Sequence, residues 1–129
     1  MKLLLDTQVW LWIHGAPERL SPAVRRLVAS TDRELYLSTA SAWEIAIKYR
    51  LGKLKLSREP AELVPDLLTR VGAASLPILQ RHALHVATLP LHHTDPFDRL
   101  LIAQAQLERL TILTADRHFE RYDVTVKRA

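Results

Sequence analysis

The stretch DPFDRLLIAQA, residues 95–105, predicts the strongest helix of the chain. Asp95 is a good N-cap, Pro96 suits the first helical position, and an apolar face follows to about Arg109. Asp98 stands in the first turn, where the helix dipole favours a negative charge. The stretch therefore predicts a helix that packs on the core and holds a second carboxylate near its start.

Two other stretches also place a carboxylate at a junction between elements. The run LLLDT, residues 3–7, is apolar up to Asp6, and the run LTILTAD, residues 110–116, ends at Asp116. Continuous apolar runs that stop at polar residues are typical of short buried strands. We therefore predict an acid directly after each of these two strands.

Short strands alternate with helices along the whole chain. This alternation implies right-handed crossovers and an α/β three-layer fold, in which helices flank a central, mostly parallel sheet of four to five short strands. The predicted strands are residues 2–5, 35–37, 73–76, 111–113 and 124–126; the predicted helices are residues 7–12, 22–29, 41–50, 60–71, 79–89 and 96–109, with a helical turn at 116–122.

Composition and length set outer limits on the function. The chain has 129 residues, of which 48% are hydrophobic and 25% charged, so we expect one domain over residues 1–129. It has no cysteine, which excludes disulfides and thiolate metal sites and suits a cytoplasmic location. Asp6 and Gln8 interrupt the apolar N-terminus, so we expect neither a secretory signal nor a membrane span. The net charge of +4 is a weak pointer to polyanionic partners.

Four acids are expected at one edge of the sheet: Asp6, Glu44, Asp98 and Asp116. Each follows a predicted strand or begins a helix, and sites in parallel sheets lie beyond the carboxyl ends of the strands. Two carboxylates ~4 Å apart repel each other by roughly 4 kcal/mol at an effective dielectric constant of about 20. A cation relieves such repulsion, and oxygen ligands without thiolate favour Mg²⁺ or Mn²⁺.

Each acid also has a purely structural explanation. Asp6 and Asp116 could be helix caps, and Asp98 could simply complement the helix dipole. Glu44 could close a capping box with Ser41 or pair with Lys48 one turn later. The structural explanation weakens for the set as a whole, because four unrelated caps need not share one edge of one sheet.

The ordered set of motifs resembles the PIN-domain ribonucleases, in particular the VapC toxins of type II toxin–antitoxin systems. The resemblance covers nearly the whole chain and rests on LLLDT at residues 3–7, SAWEIAIK with LGKL at 41–54, HTDPFDRLLIAQA at 93–105 and LTADRHF at 113–119. It implies a Mg²⁺-dependent endoribonuclease, Mn²⁺ being an alternative ion, that leaves a 5′-phosphate and a 3′-hydroxyl. It also implies a homodimer and a cognate antitoxin whose tail blocks the groove.

The resemblance implies a role for each acid. Asp6 and Asp98 would be direct ligands, Asp116 would bind a second metal or act through water, and Glu44 would orient water or bind at the rim. Supporting roles would fall to Asp95 as a fifth acid, to the hydroxyls of Thr114 and Thr7, and to Arg99, which could contact phosphate or the antitoxin or pair with a neighbouring acid.

Two other functions remain open at this level. The same fold could serve as an RNA-processing nuclease without an antitoxin, or as a non-catalytic module that binds RNA or an antitoxin. His82 and His85 lie one turn apart, yet zinc is disfavoured without cysteine or a second such pair. Trp10, Trp12 and Trp43 could stack bases, but buried or interface packing is more common for tryptophan.

Overall fold

A parallel five-stranded sheet forms the centre of the protein in a computed structural model that describes residues 1–129. The strands lie in the order β3-β2-β1-β4-β5, and every neighbouring pair is parallel. The predicted α/β fold is thereby confirmed. The strands are β1 (Lys2–Leu5), β2 (Glu34–Ser38), β3 (Ala73–Leu76), β4 (Thr111–Thr114) and β5 (Val126–Arg128).

Six helices connect the strands, together with three short 3₁₀ turns. The longest helix has 13 residues, and none could cross a membrane. The helices are α1 (Thr7–Gly15), α2 (Pro22–Ala29), α3 (Thr39–Arg50), α4 (Pro60–Val71), α5 (Gln80–His85) and α6 (Pro96–Glu108), and the 3₁₀ turns are Pro17–Arg19, Val86–Thr88 and Arg117–Arg121.

Several predicted boundaries were wrong. The first helix continues beyond Trp12 to Gly15, and the helix predicted over 79–89 ends at His85 and continues as a 3₁₀ turn. The last strand lies at 126–128 rather than 124–126, because Val124 N–H donates to the Tyr122 carbonyl within a turn, at 2.8 Å. Val126 is the first residue that pairs with β4.

Alternate residues of β1 enter two separate hydrophobic cores. Leu3 and Leu5 pack with residues of α1 to α4, whereas Leu4 packs on the other face with α6 and the segments around it. All three leucines are fully buried, which is the pattern of a parallel sheet covered on both faces. The carboxyl end of β1 therefore opens between two layers of helices.

Buried hydrogen bonds fix the elements around this end of the sheet. Asp6 N–H donates to the Leu113 carbonyl at 3.0 Å, which joins β1 and β4 at the point where the chain leaves the sheet. Ser38, at the end of β2, bonds through its hydroxyl to Gln104 Oε1 on α6 at 2.5 Å. Helix α6 is thus held against the sheet with its N-terminus beside the ends of the strands.

Candidate metal-binding active site

An open pocket of about 520 Å³ lies at the carboxyl ends of β1, β2 and β4. Five carboxylates line it, and two lysines are the only cations on its wall. The structure thus brings together all four acids that the sequence predicts at this edge, with a fifth beside them. The charged lining residues are Asp6, Glu44, Asp95, Asp98, Asp116, Lys48 and Lys53.

Asp6 is a buried acid with a dedicated hydroxyl donor. It occupies the N-cap position of α1, but its carboxylate does not cap the helix. Instead the buried Thr114 hydroxyl donates to Asp6 Oδ2 at 2.7 Å. Burial raises the pKa of Asp6, the Thr114 bond opposes this rise, and the charges of Glu44 and Asp116 add to it. The carboxylate therefore faces the pocket rather than serving the helix.

Glu44 does not close a capping box with Ser41. Ser38 caps α3 through a 3.0 Å bond from the Ala40 amide. Ser41 lies one turn into the helix, where its Oγ accepts a 2.7 Å bond from the buried Thr7 hydroxyl. Glu44 itself is buried, and its Oε2 lies 2.5 Å from Lys48 Nζ. The pairing alternative holds, and Thr7 supports α3 rather than touching the other acids.

Asp98 carries the most perturbed carboxyl of the pocket. Burial, followed by the charge of Asp95, raises its pKa to about 7, although a hydrogen bond with His93 opposes the rise. His93 Nε2 lies 2.7 Å from Asp98 Oδ2. Asp95 is the N-cap of α6, since its Oδ1 accepts from the amides of Phe97 and Asp98 at 2.8 and 3.2 Å. Asp95 thus combines capping with a position on the pocket wall.

Asp116 lies opposite, at the end of β4, and is more exposed. Its Oδ1 accepts bonds from the His118 amide at 2.9 Å and from the His118 ring Nδ1 at 2.7 Å. Burial acts to raise the pKa of Asp116, but these two bonds outweigh it and the net pKa is lowered. The Asp116 amide donates to Thr114 Oγ1 at 3.0 Å, so one threonine holds both Asp6 and Asp116.

Arg99 does not face the pocket. Its guanidinium is buried and donates to the carbonyls of Val86, Leu89, Pro90 and His93, at distances between 2.8 and 3.4 Å. These bonds hold the loop that precedes α6. No acid pairs with Arg99 in this position, so the expected ion pair was wrong, whereas its contacts with phosphate or an antitoxin stay predictions.

The donor set fits a hard divalent cation. Carboxylate oxygens are the ligands that Mg²⁺ and Mn²⁺ prefer, and the pKa values of Asp6 and Asp98 are raised first by burial and then by the charges of neighbouring acids. One ligand atom each from His93, Asp98 and Asp116 lies within 4.8 Å of the other two. A cation at this point would offset the repulsion.

Comparison with known proteins agrees with this arrangement. The family model for the PIN domain matches residues 3–124. The chain belongs to the PIN domain family. A relative of this PIN domain, ribonuclease VapC16 of Mycobacterium tuberculosis (strain ATCC 25618 / H37Rv), is 41% identical over 75 residues. That match covers 56% of this chain and 53% of the relative, so it spans about half the length of each.

Solved structures share the fold at low identity. VapBC2 from Rickettsia felis, bound to a DNA fragment from its promoter, matches with a TM-score of 0.74 and 16% identity over 99% of this chain and 98% of that one. DNA-bound VapBC from Salmonella typhimurium matches with a TM-score of 0.70 and 20% identity over the same shares. These likenesses concern the fold of the PIN domain.

Sequence reasoning missed two polar residues of this site and considered a third, Lys53, only as part of a basic stretch that could contact an RNA backbone. His93 and His118 each bond one of the acids, and Lys53 lines the pocket without a carboxylate partner. His93 and Lys53 lie in loops, where hydrophobic periodicity carries no information. The one available signal was their place in the quoted motifs, with His93 five residues before Asp98.

The remaining candidates have structural roles or stay open. His82 is buried and bonds the Leu79 amide and Glu108, and His85 bonds Gln106, so the two histidines share no metal site. Trp10 is buried in the core and Trp12 is half-buried. Trp43 is 58% exposed and packs edge-on against Phe97, with 5.3 Å between the ring centroids.

Proposed function

We propose that this PIN domain is a Mg²⁺-dependent endoribonuclease that acts as the toxin of a type II toxin–antitoxin pair, with Mn²⁺ as an alternative ion. The observation that carries the proposal is the acidic pocket, in which Asp6, Glu44, Asp98 and Asp116 meet although they are far apart in sequence. The 41% identity to a VapC ribonuclease over 75 residues supports the choice of RNA as substrate.

Three acids are suited to hold the ion. Asp6 and Asp98, whose pKa values are raised mainly by burial, would be direct ligands, and Asp116 would complete the set from the opposite wall. When bound, a divalent cation polarises a phosphoryl oxygen and makes water a better nucleophile at neutral pH. Thr114 keeps Asp6 and Asp116 in register through its two bonds.

Glu44 is suited to orient the attacking water. Its Oε2 is engaged by Lys48, whereas its Oε1 has no protein hydrogen bond and remains accessible from the pocket. A carboxylate oxygen in this state can accept a proton or a hydrogen bond from water. In the hydrolysis, the water oxygen bonds to phosphorus, the bond from phosphorus to the 3′-oxygen breaks, and the 3′-oxygen takes a proton.

Lys53 is suited to bind the RNA backbone. It lines the pocket and forms no ion pair, in contrast to Lys48, whose charge is committed to Glu44. Lysine binds phosphate as a point charge, and such contacts position a nucleic acid without reading its sequence. This arrangement supports cleavage of a phosphodiester, while the choice among RNAs depends on surfaces further away.

Replacement of Asp6 or Asp98 by Asn tests the enzyme assignment. We expect each variant to lose at least about 100-fold of Mg²⁺-dependent RNA cleavage, since even partners of metal ligands cost 10–100-fold. Asp32→Asn is a matched control, because Asp32 is exposed on another surface. Unchanged cleavage by a folded Asp98→Asn protein would refute the assignment.

An antitoxin is the proposed partner. A second groove of about 570 Å³ adjoins the acidic pocket and shares Leu11, Ile45 and Leu54 with it. Its floor is mostly apolar, and Lys55, Arg58 and Arg70 contribute positive charge. We propose that an acidic, amphipathic antitoxin segment lies in this groove and extends over the acids. The solved VapBC structures support a two-protein system.

Two further parts of the proposal concern assembly and location. We propose a homodimer, which the exposed Trp43–Phe97 pair would favour because an interface could cover it. We also propose a cytoplasmic location, where RNA and an antitoxin are both available. Sedimentation velocity of the purified chain tests the dimer, and a monomer at all concentrations would refute it.

A further inference from the structure

His93 lies beside Asp98, behind the lining of the acidic pocket, in a loop that is fixed on both sides. Its backbone amide donates to Tyr122 Oη at 2.9 Å, and its carbonyl accepts from Arg99 Nη1 at 3.3 Å. The His93 side chain is only 22% exposed, and its Nε2 lies 2.7 Å from Asp98 Oδ2. The imidazole is therefore held beside Asp98 before any ligand arrives.

The position of this nitrogen is suited to a shared ion. Nε2 of His93 and one carboxylate oxygen each of Asp98 and Asp116 lie within 4.8 Å of one another. Two ligand atoms ~2.1 Å from one ion and at right angles lie about 3 Å apart. The 2.7 Å between His93 Nε2 and Asp98 Oδ2 is close to that separation.

His118 supports the ring of His93 from its other side. The two imidazoles stack with 4.9 Å between centroids and 13° between planes. His118 is bonded through Nδ1 to Asp116. Its place in the site is consequently to hold His93 and Asp116 in a fixed relation.

We propose that His93 supplies a nitrogen ligand to the divalent cation bound by Asp98 and Asp116. The inference rests on the proposed function, since the same acids hold the ion there. Imidazole is a better ligand for first-row transition-metal ions, among which Mn²⁺ binds most weakly, than for Mg²⁺, which takes hard oxygen ligands. His93 accordingly adds affinity for a transition-metal ion such as Mn²⁺ and little affinity for Mg²⁺, while the carboxylates bind either ion.

A second role for His93 predicts a different result. If the ring only donated a hydrogen bond to Asp98, it would orient the carboxylate without touching the ion. Loss of the ring would then weaken Mg²⁺ and Mn²⁺ binding to the same extent. A ligand role instead predicts loss of Mn²⁺ affinity with little change for Mg²⁺.

Mn²⁺ serves as the probe, because its electron spin reports a directly bound nitrogen. Electron spin-echo modulation of the full chain loaded with Mn²⁺ should show ¹⁴N coupling, and ¹⁵N-labelled histidine should change the pattern. His93→Gln should abolish the coupling and weaken Mn²⁺ binding about tenfold or more by calorimetry, with less than about threefold change for Mg²⁺. His92→Gln, an exposed neighbour, and His118→Gln should retain the coupling.

The outcomes separate this inference from the proposed function. Absence of nitrogen coupling in wild-type protein that binds Mn²⁺ and cleaves RNA would overturn the ligand role alone. Equal losses of Mn²⁺ and Mg²⁺ affinity in His93→Gln would also overturn it. Protein that neither binds Mn²⁺ nor cleaves RNA would instead overturn the proposed function. The wild-type and isotope spectra decide the ligand role even if His93→Gln does not fold.

Discussion

The Thr114 hydroxyl donates a 2.7 Å hydrogen bond to Asp6 Oδ2, although the two residues are 108 positions apart in the chain. Asp6 directly follows β1, and Thr114 is the last residue of the neighbouring parallel strand β4. The Thr114 hydroxyl oxygen also accepts a hydrogen bond from the Asp116 amide, at 3.0 Å. One buried hydroxyl therefore sets the spacing of two acids across the site.

Replacement of Thr114 by Val should weaken the site without changing its shape. Asp6 loses its hydroxyl donor while remaining buried, so its pKa should rise further and its affinity for a cation should fall. We expect 10–100-fold weaker Mg²⁺ binding by calorimetry and a loss of about 1–3 kcal/mol in the free energy of unfolding. Thr111→Val, at the other end of β4, is the control. Equal Mg²⁺ affinity in both variants would contradict this role.

The raised pKa of Asp98 predicts that the metal-free protein becomes less stable to unfolding as the pH rises. Its pKa is raised to about 7 in the folded state and is near 3.8 when unfolded. Between these values the folded state binds more protons, so the contribution of Asp98 is present at low pH and is lost as pH rises through 7. Metal-free wild type should therefore lose about 4 kcal/mol relative to Asp98→Asn between pH 4 and pH 8.

Urea unfolding in a chelator at several pH values measures this difference. Because the comparison is between two variants, titrating groups that do not contact Asp98 cancel. Saturating Mg²⁺ should restore the stability of the wild type at pH 8 and have little effect on Asp98→Asn. A wild type that gains stability over Asp98→Asn as pH rises would show that the sign is wrong.

Lys53 and Lys48 should differ in their effects on RNA cleavage. Lys53 has no carboxylate partner, so Lys53→Gln should raise KM for RNA by about tenfold and reduce the dependence of binding on salt. Lys48→Gln leaves Glu44 buried without its cation, so it should lower kcat as well. Lys55→Gln lies outside the acidic pocket and is the control. A Lys53→Gln protein with unchanged KM would exclude the phosphate contact.

Arg99 should affect stability rather than RNA affinity. Lysine cannot reproduce the planar fork that serves the carbonyls of Val86, Leu89, Pro90 and His93. We expect Arg99→Lys to lose about 2–4 kcal/mol in the free energy of unfolding, with unchanged affinity for RNA in the fraction that is folded. A tenfold weaker RNA complex at unchanged stability would point to the phosphate contact that the sequence left open.

The positions of three acids could be predicted from the sequence, because each lies at the end of an apolar run or at the start of a helix. Asp6 and Asp116 end such runs, and Asp98 follows a strong N-cap, so their positions follow from strand and helix boundaries. The role of Glu44 was ambiguous, since the order Ser41-x-x-Glu44 satisfies a local capping pattern. Only the tertiary fold decides it, because Ser38 begins the helix three residues earlier.

Other features depend on contacts that no local pattern encodes. Arg99 directly follows Asp98, and two adjacent charged residues suggest a position on the surface. The side chain of Arg99 is instead buried and bonds the loop that precedes α6. Lys53 lines the pocket and His93 bonds Asp98, both from loops, so their positions depend on the path of the chain between elements. Such residues follow from the assembled fold rather than from spacing.

The groove beside the pocket gives the sharpest separation of antitoxin binding from catalysis. Arg70 lies on the rim of this groove in the last turn of α4, and its side chain is 69% exposed. It does not line the acidic pocket. Arg70→Glu should weaken an acidic antitoxin segment about tenfold or more, mainly through a slower association rate at low salt. RNA cleavage by the isolated chain should be unchanged.

Arg26→Glu is a matched control, since Arg26 also lies exposed in the last turn of a helix, α2, and outside the groove. Titration of the purified antitoxin against each variant, with inhibition of cleavage as the readout, measures both effects at once. Equal inhibition of Arg70→Glu and Arg26→Glu would place the antitoxin on another surface. If no co-expressed partner inhibits any variant, the chain acts as a nuclease without an antitoxin, and the acidic pocket alone then accounts for its activity.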